Sequence, residues 1–181
     1  VASSDFTLSV ADCPLIQVEG WDGTLSQFES SLSASLGAKL PASVGETVRH
    51  QSLLVIRIAP RRLWLALDDG TRAPTLAIDP DLGCSVCLGE GRVRFGLAGL
   101  DISSVLSTCM AVDWHAPAAA PGRAVQTSFH HVPVLLLRTG ETACDLIVPR
   151  TFSRSLHDWI TDHQASTENS LNHAGGNTRI G

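Results

Sequence analysis

The chain has 181 residues, 44% of them hydrophobic and 17% charged, with a formal net charge of −5. That length supports one substantial core or two small lobes sharing an interface, and the sparse charge suits a protein that covers part of its surface with a partner. The acidic balance excludes a nucleic-acid binder, since Arg57 with Arg61 and Arg62 is the nearest approach to a basic run. No apolar stretch reaches the roughly 18 residues that a membrane span needs, and no basic-then-apolar start marks a signal peptide.

In chain order, Leu15 to Val18 alternates as a strand. Leu25, Phe28, Leu32 and Leu36 then fall at spacings of three and four, on one helical face. Thr24 with Gln27 three residues on has the form of a capping box, and Gly37 suits the left-handed cap that closes a helix. Residues 53–58 (LLVIRI) and 63–67 (LWLAL) read as two strands, followed by a turn at Asp68-Asp69-Gly70. Thr75 to Ile78 and Cys84 to Leu88 are short strand candidates, and Gly89-Glu90-Gly91 reads as a hairpin turn into a strand from Arg92.

A second run then opens. The strand RVRFGLAG leads to a short helix starting at Asp101, a break at Val112-Asp113 and a proline-rich turn over 116–122. Three strands follow (RAVQTSF, VPVLLLR, CDLIVP), then an amphipathic helix over 151–163 with Phe152, Leu156, Trp159 and Ile160 on one apolar stripe. The element order β-α-β-β-β-α implies an α+β fold, with helices on one face of mainly antiparallel sheets. We divide the chain into an N-terminal lobe (1–88), a C-terminal lobe (89–163) and a flexible tail (164–181), rich in Ser, Asn, Gly and Thr.

Candidate chemistry is sparse. In an extended segment Cys84 and Cys87 point to opposite faces, against a metal or redox role for this CxxC. The five cysteines (Cys13, Cys84, Cys87, Cys109, Cys144) lack the spacing of a secreted disulfide scaffold, which suggests a reducing, cytoplasmic compartment. His130 and His131 are adjacent on a strand, so one is expected to be buried against a helix and the other solvated or at an interface. His115, His157 and His163 are isolated. His157 and Asp158 diverge by about 100° on a helix, which excludes a dyad on spacing. Asp113 reads as a turn cap rather than a catalytic acid. No GxSxG, GxGxxG or phosphate loop occurs. Hence no catalytic, cofactor-binding or metal-binding residue is assigned. Four tryptophans and no tyrosine carry more information: Trp64 reads as core, while Trp21 and Trp114 are interface candidates.

Gly99-Leu100-Asp101, Val112-Asp113, Pro121-Gly122 with Gln126-Thr127, the strand from Val132 to Arg138, and Val148-Pro149-Arg150-Thr151-Phe152 leading to Trp159 resemble the gamma subunit of heterotetrameric sarcosine oxidase. Upstream, Leu40-Pro41 and Ala59-Pro60-Arg61-Arg62-Leu63-Trp64-Leu65 resemble that family's "LP … GPxxWLL" segment, with Ala59 where glycine is usual. The segment Cys84 to Cys87 also departs from the family pattern. The resemblance runs from about Asp12 to His163. It implies a two-lobed fold similar to the folate-binding domain of the glycine-cleavage aminomethyltransferase.

It further implies a non-catalytic subunit, partnered by alpha, beta and delta subunits, in a flavoenzyme that oxidatively demethylates sarcosine. The products are glycine, hydrogen peroxide and formaldehyde or methylene-tetrahydrofolate. FAD, FMN, NAD and zinc are expected on the other subunits and no cofactor on this one. Three alternatives stay open: a subunit of an N-methylglutamate or other methylated-amine dehydrogenase, a free-standing folate-binding module, and a CxxC redox protein.

Overall fold

The computed structural model describes residues 6–68, 70–71, 76–100 and 102–162. The expectations for Asp69, Thr75, Asp101, His163 and the tail lie outside the described residues.

Among the described residues, ten strands form two antiparallel five-stranded sheets. The strands are β1 (Thr7–Asp12), β2 (Leu15–Gly20), β3 (Thr47–His50), β4 (Leu53–Ala59), β5 (Arg62–Leu67), β6 (Gly83–Cys87), β7 (Arg92–Ala98), β8 (Ala124–Phe129), β9 (Val132–Arg138) and β10 (Ala143–Pro149). Helix α1 is Leu25–Leu36, α2 is Ile102–Ser107, and α3 covers 153–162. One sheet runs β3-β4-β5-β2-β6, the other β8-β9-β10-β7-β1.

Each sheet is therefore built on one unit, β2-α1-β3-β4-β5 or β7-α2-β8-β9-β10, whose strands take the same spatial order. A fifth strand pairs with the first strand of each unit: β6 with β2, and β1 with β7. One segment departs from the expected division into 1–88 and 89–163: β1 leads the chain but pairs with β7 in the second sheet. It and β3 carry little apolar signal in the sequence, both being short strands without buried residues, such as TLSVAD. Gly89–Gly91 is likewise no hairpin turn. It is a 3-10 turn carrying the chain from β6 in one sheet to β7 in the other.

Strand alternation sets four layers. Ile16, Val18, Leu53, Val55, Leu63 and Leu65 face α1 and bury Phe28 and Leu32. Phe95, Leu97, Leu136, Leu146 and Val148 face the other way and bury Ile102, Leu106, Leu156 and Ile160 of α2 and α3. The intervening positions, Leu15, Ile56, Ile58, Ala66, Leu135, Leu137 and Ile147, meet between the sheets. Alternate strand residues are thus apolar on both faces, which explains near-continuous apolar strands such as VPVLLLR.

Helix α1 docks through a glycine pair. Gly20 and Gly83 lie opposite each other in register, and a Cβ on Gly20 would stand 2.6 Å from the Phe28 ring. Gly37 caps α1 in the left-handed region (φ 61°) as its sequence position requires. The capping box does not form: Thr24 makes no side-chain cap bond, and its hydroxyl turns instead towards the carbonyls of Asp81 and Leu82. Leu76 to Ile78 is not a strand.

Candidate functional site

Two buried arginines organise the two units. Arg57 on β4 is 5% exposed, and Arg138 on β9 is 6% exposed. Each lies on the helix-facing side of its sheet and ties down the loop between its unit's helix and the next strand. Arg57 Nε donates to the Pro41 carbonyl (2.7 Å) and Nη1 to that of Pro60 (2.6 Å). Arg138 Nη1 donates to the Ala119 carbonyl (3.0 Å), and Nη2 to those of Gly140 and Glu141 (3.4 and 3.3 Å).

Their remaining partners differ. Arg57 Nη2 meets Glu29 Oε1 of α1 at 2.6 Å. Arg138 has no carboxylate partner among the described residues; its guanidinium lies over the Trp114 ring, 5.1 Å from the centroid. Trp114 thus spends one face on a cation and packs its body against the α2–α3 core, and its buried Nε1–H has no acceptor among the described residues. Beside it, Asp113 Oδ1 accepts the His115 backbone N–H at 3.0 Å, so Asp113 is the turn cap its position implies. Trp21 is the more open of the two interface candidates. It is 43% exposed, with its indole N–H anchored on the Pro80 carbonyl at 2.8 Å.

Between the sheets the apolar layer gives way to a charged one. Arg94 lies 3.7 Å from Asp68 and 3.9 Å from Asp145, and Arg49 bonds Asp68 at 3.2 Å. Burial raises the pKa of Asp145, and the Arg94 charge opposes that rise. Burial likewise raises the pKa of the Cys13 thiol and pushes that of Cys144 up to about 12, so both behave as small apolar residues. Trp64 is half-buried at the margin of this layer, its Nε1 donating to Gln17 Oε1 at 3.1 Å, with the Arg92 guanidinium over its ring.

The titratable residues considered in the sequence stay apart. Cys84 is half-buried and Cys87 exposed on the edge strand β6. His130 and His131 are both exposed and form the β8–β9 turn, with His130 at positive φ, so the expected burial of one is corrected. The apolar flanks of this two-residue hairpin turn give it the pattern of a continuous strand. His157 and Asp158 do approach, at 3.6 Å, on the open face of α3, so the separation expected from helical spacing is corrected. Trp159 is 37% exposed at the rim of the core, stacked on Phe129, rather than inside it. Among the described residues no group of three or more His, Cys, Asp or Glu is arranged to hold a metal, and no helix is long and apolar enough to cross a membrane.

The helix-flanked pair of sheets defines a class. Aminomethyltransferase T of the glycine cleavage system from Bartonella henselae superposes with a TM-score of 0.53, at 16% identity, over 84% of this chain and 45% of that one. A chain of heterotetrameric sarcosine oxidase from Corynebacterium sp. U-96, in complex with pyrrole 2-carboxylate, superposes with a TM-score of 0.76, at 24% identity, over 93% and 88% of the two chains. These likenesses show a shared fold. No family model matches the chain. The sarcosine oxidase gamma subunit of Corynebacterium sp. (strain U-96) is 30% identical over 137 residues, covering 74% of this chain and 67% of that protein. The gamma subunit from Arthrobacter sp. is 29% identical over 139 residues, covering 74% and 68%. The chain belongs to the sarcosine oxidase gamma-subunit family.

Proposed function

We propose that this chain is the gamma subunit of a heterotetrameric sarcosine oxidase, an oxidoreductase that converts sarcosine, oxygen and water to glycine, formaldehyde and hydrogen peroxide. The observation that carries this reading is the 137-residue match to a gamma subunit. It is longer than either lobe, so it embraces parts of both units rather than one shared motif.

The chain acts as scaffold. Its buried arginines, Arg57 and Arg138, hold loops to the sheets, engaged by carbonyls, a carboxylate and an indole face rather than arranged around a reacting atom. FAD, FMN, NAD and zinc are assigned to the alpha, beta and delta partners, and the assembly to the cytoplasm. Trp21 and Trp114 are the proposed contacts with partner subunits; Trp21 offers an exposed ring with a fixed orientation, the arrangement that costs least entropy on docking.

Co-expression with the three partner subunits tests the reading. A four-chain complex that oxidises sarcosine, and fails to assemble when this chain is omitted, is expected. A fully active complex lacking this chain, or a freely monomeric chain that binds folate saturably by itself, would overturn it. Within the assembly, Trp21→Ala is expected to weaken subunit association while leaving turnover per assembled complex unchanged.

A further inference from the structure

Independently of that reading, a cleft between the sheets, at the edge where β3 and β8 meet, has the chemistry of a ligand site. It encloses about 320 Å³ between Thr47, Arg49 and Leu54 of one sheet and Gly122, Arg123 and Leu137 beside the other. That volume lies within the usual range for small-molecule pockets, about 300–1,000 Å³. Leu54 and Leu137 give it an aliphatic wall continuous with the apolar layer between the sheets.

All the charged residues that line the cleft are arginines, in a chain of net charge −5. Asp68 and Glu46, which pair with Arg49 and Arg123, lie outside the lining. Arg49 spends only Nη1 on Asp68, so its Nε and Nη2 have no acceptor among the described residues. Arg123 binds Glu46 and the Val44 carbonyl through its two Nη groups, and its Nε, which has no acceptor among the described residues, is too deeply buried to meet a ligand, so its contact with one in the cleft is through Nη. Arg138, the third lining arginine, sends its guanidinium to the opposite face of the sheet, where no carboxylate among the described residues neutralises it. Its charge adds to the positive potential of the cleft.

We propose that this cleft binds a small carboxylate with an apolar body, the carboxylate lying between Arg49 and Arg123 and the body against Leu54 and Leu137. Guanidinium is the side chain best suited to bidentate recognition of a carboxylate, and apolar walls strengthen that pairing by excluding water.

The test uses the full chain with benzoate as probe, benzamidine as its cationic isostere and sulfate as an anion without an apolar body. Reaction of individual arginines with phenylglyoxal is followed by peptide mass spectrometry. Benzoate is expected to protect Arg49 and Arg123 saturably and to leave the exposed Arg154 reactive, while benzamidine and sulfate protect neither. Arg49→Gln, at a half-exposed ion pair of the kind that contributes at most about 1 kcal/mol, should weaken benzoate protection of Arg123 by about tenfold or more. Leu54→Trp, which fills the cleft, should abolish it. Equal protection by sulfate, parallel protection of Arg154, or protection that survives Arg49→Gln unchanged would each sink the proposal.

Discussion

The two β-α-β-β-β units share a strand order and a device, a buried arginine that fastens the loop between helix and next strand, yet they neutralise that arginine differently. In the first unit Glu29 reaches from α1 to Arg57. In the second, α2 is half as long, six residues against twelve, and presents no acid; an indole face from the following loop covers Arg138 instead. A long helix can carry a carboxylate out to its sheet's arginine, whereas a short one hands the task to the loop. Trp114 is therefore first a structural residue, and whatever it offers a partner is the edge left over.

The comparison is broken most directly at the arginines. Arg57→Ala leaves two carbonyls and the Glu29 carboxylate without their partner, and should cost about 3–5 kcal/mol. Arg138→Ala strands only neutral carbonyls and should cost less, about 2–3 kcal/mol. Denaturant midpoints of the two variants measure the difference. A larger loss at Arg138 would show that the indole stabilises the cation more than a carboxylate does.

The glycine pair gives α1 its close seat on the first sheet, and Gly83→Val tests whether the helix depends on it. The added Cβ itself meets the Glu19 carbonyl of the paired strand β2 and the Phe28 ring, and the expected loss is about 1–3 kcal/mol, with α1 helicity falling first. Hydrogen exchange along α1 and α2 would separate local loosening from global destabilisation.

Trp159 distinguishes α3, the helix that packs on the second sheet beside α2. Because the ring is 37% exposed and stacks on Phe129 from the rim, Trp159→Ala should cost about 1–2 kcal/mol rather than the larger loss of a buried aromatic. Thermal denaturation of the variant checks this, and turnover of any assembled complex should not change.

The charged layer between the units sets a pH dependence. Asp145 has its pKa raised by burial, so its ionised form is a cost to the folded state above that pKa. As the pH falls from neutral through the raised value, that cost is relieved, and Asp145→Asn should remove this stabilising limb from a plot of midpoint against pH. Glu46 behaves oppositely. The backbone N–H groups of Ser43 and Ala42, then Arg123, lower its pKa. The stability it contributes is present above the unfolded carboxylate pKa and lost as the pH falls through the lowered one. Opposite signs from Asp145→Asn and Glu46→Gln are the expected result. The smallest effect belongs to Thr24→Ala, within about 0.5 kcal/mol, because no cap bond is lost and the hydroxyl's contacts with the Asp81 and Leu82 carbonyls are long, at 3.4 Å.

The legible parts of the fold are those whose neighbours in space are neighbours in sequence. Phe28 and Leu32 announce the buried face of α1, Gly37 its end, and the apolar runs of β4, β5, β9 and β10 announce strands whatever they pair with. Gln51 and His130, the positive-φ residues at matching hairpins β3–β4 and β8–β9, carry no such signal, because neither is glycine, asparagine or aspartate. The candidate site was half legible. Trp21 and Trp114 stand out by composition, but Arg57 and Arg138 look like ordinary strand-end charges until their carbonyl partners, from loops 16 and 19 residues away, are in place.

By itself the sequence determined the α+β class, the order of helices and central strands, the family resemblance and the lack of any catalytic motif. Each of these rests on periodicity or on short motifs, which are local quantities. Only the tertiary structure decided that β1 crosses to the second sheet, that the two sheets stack through Ile56, Leu135 and Leu137, and that Arg49 of one sheet and Arg123 beside the other come to one cleft. The reason is physical: an edge strand is chosen by backbone hydrogen bonds that any sequence can make, and a charge finds its partner only after the layers that carry both have packed.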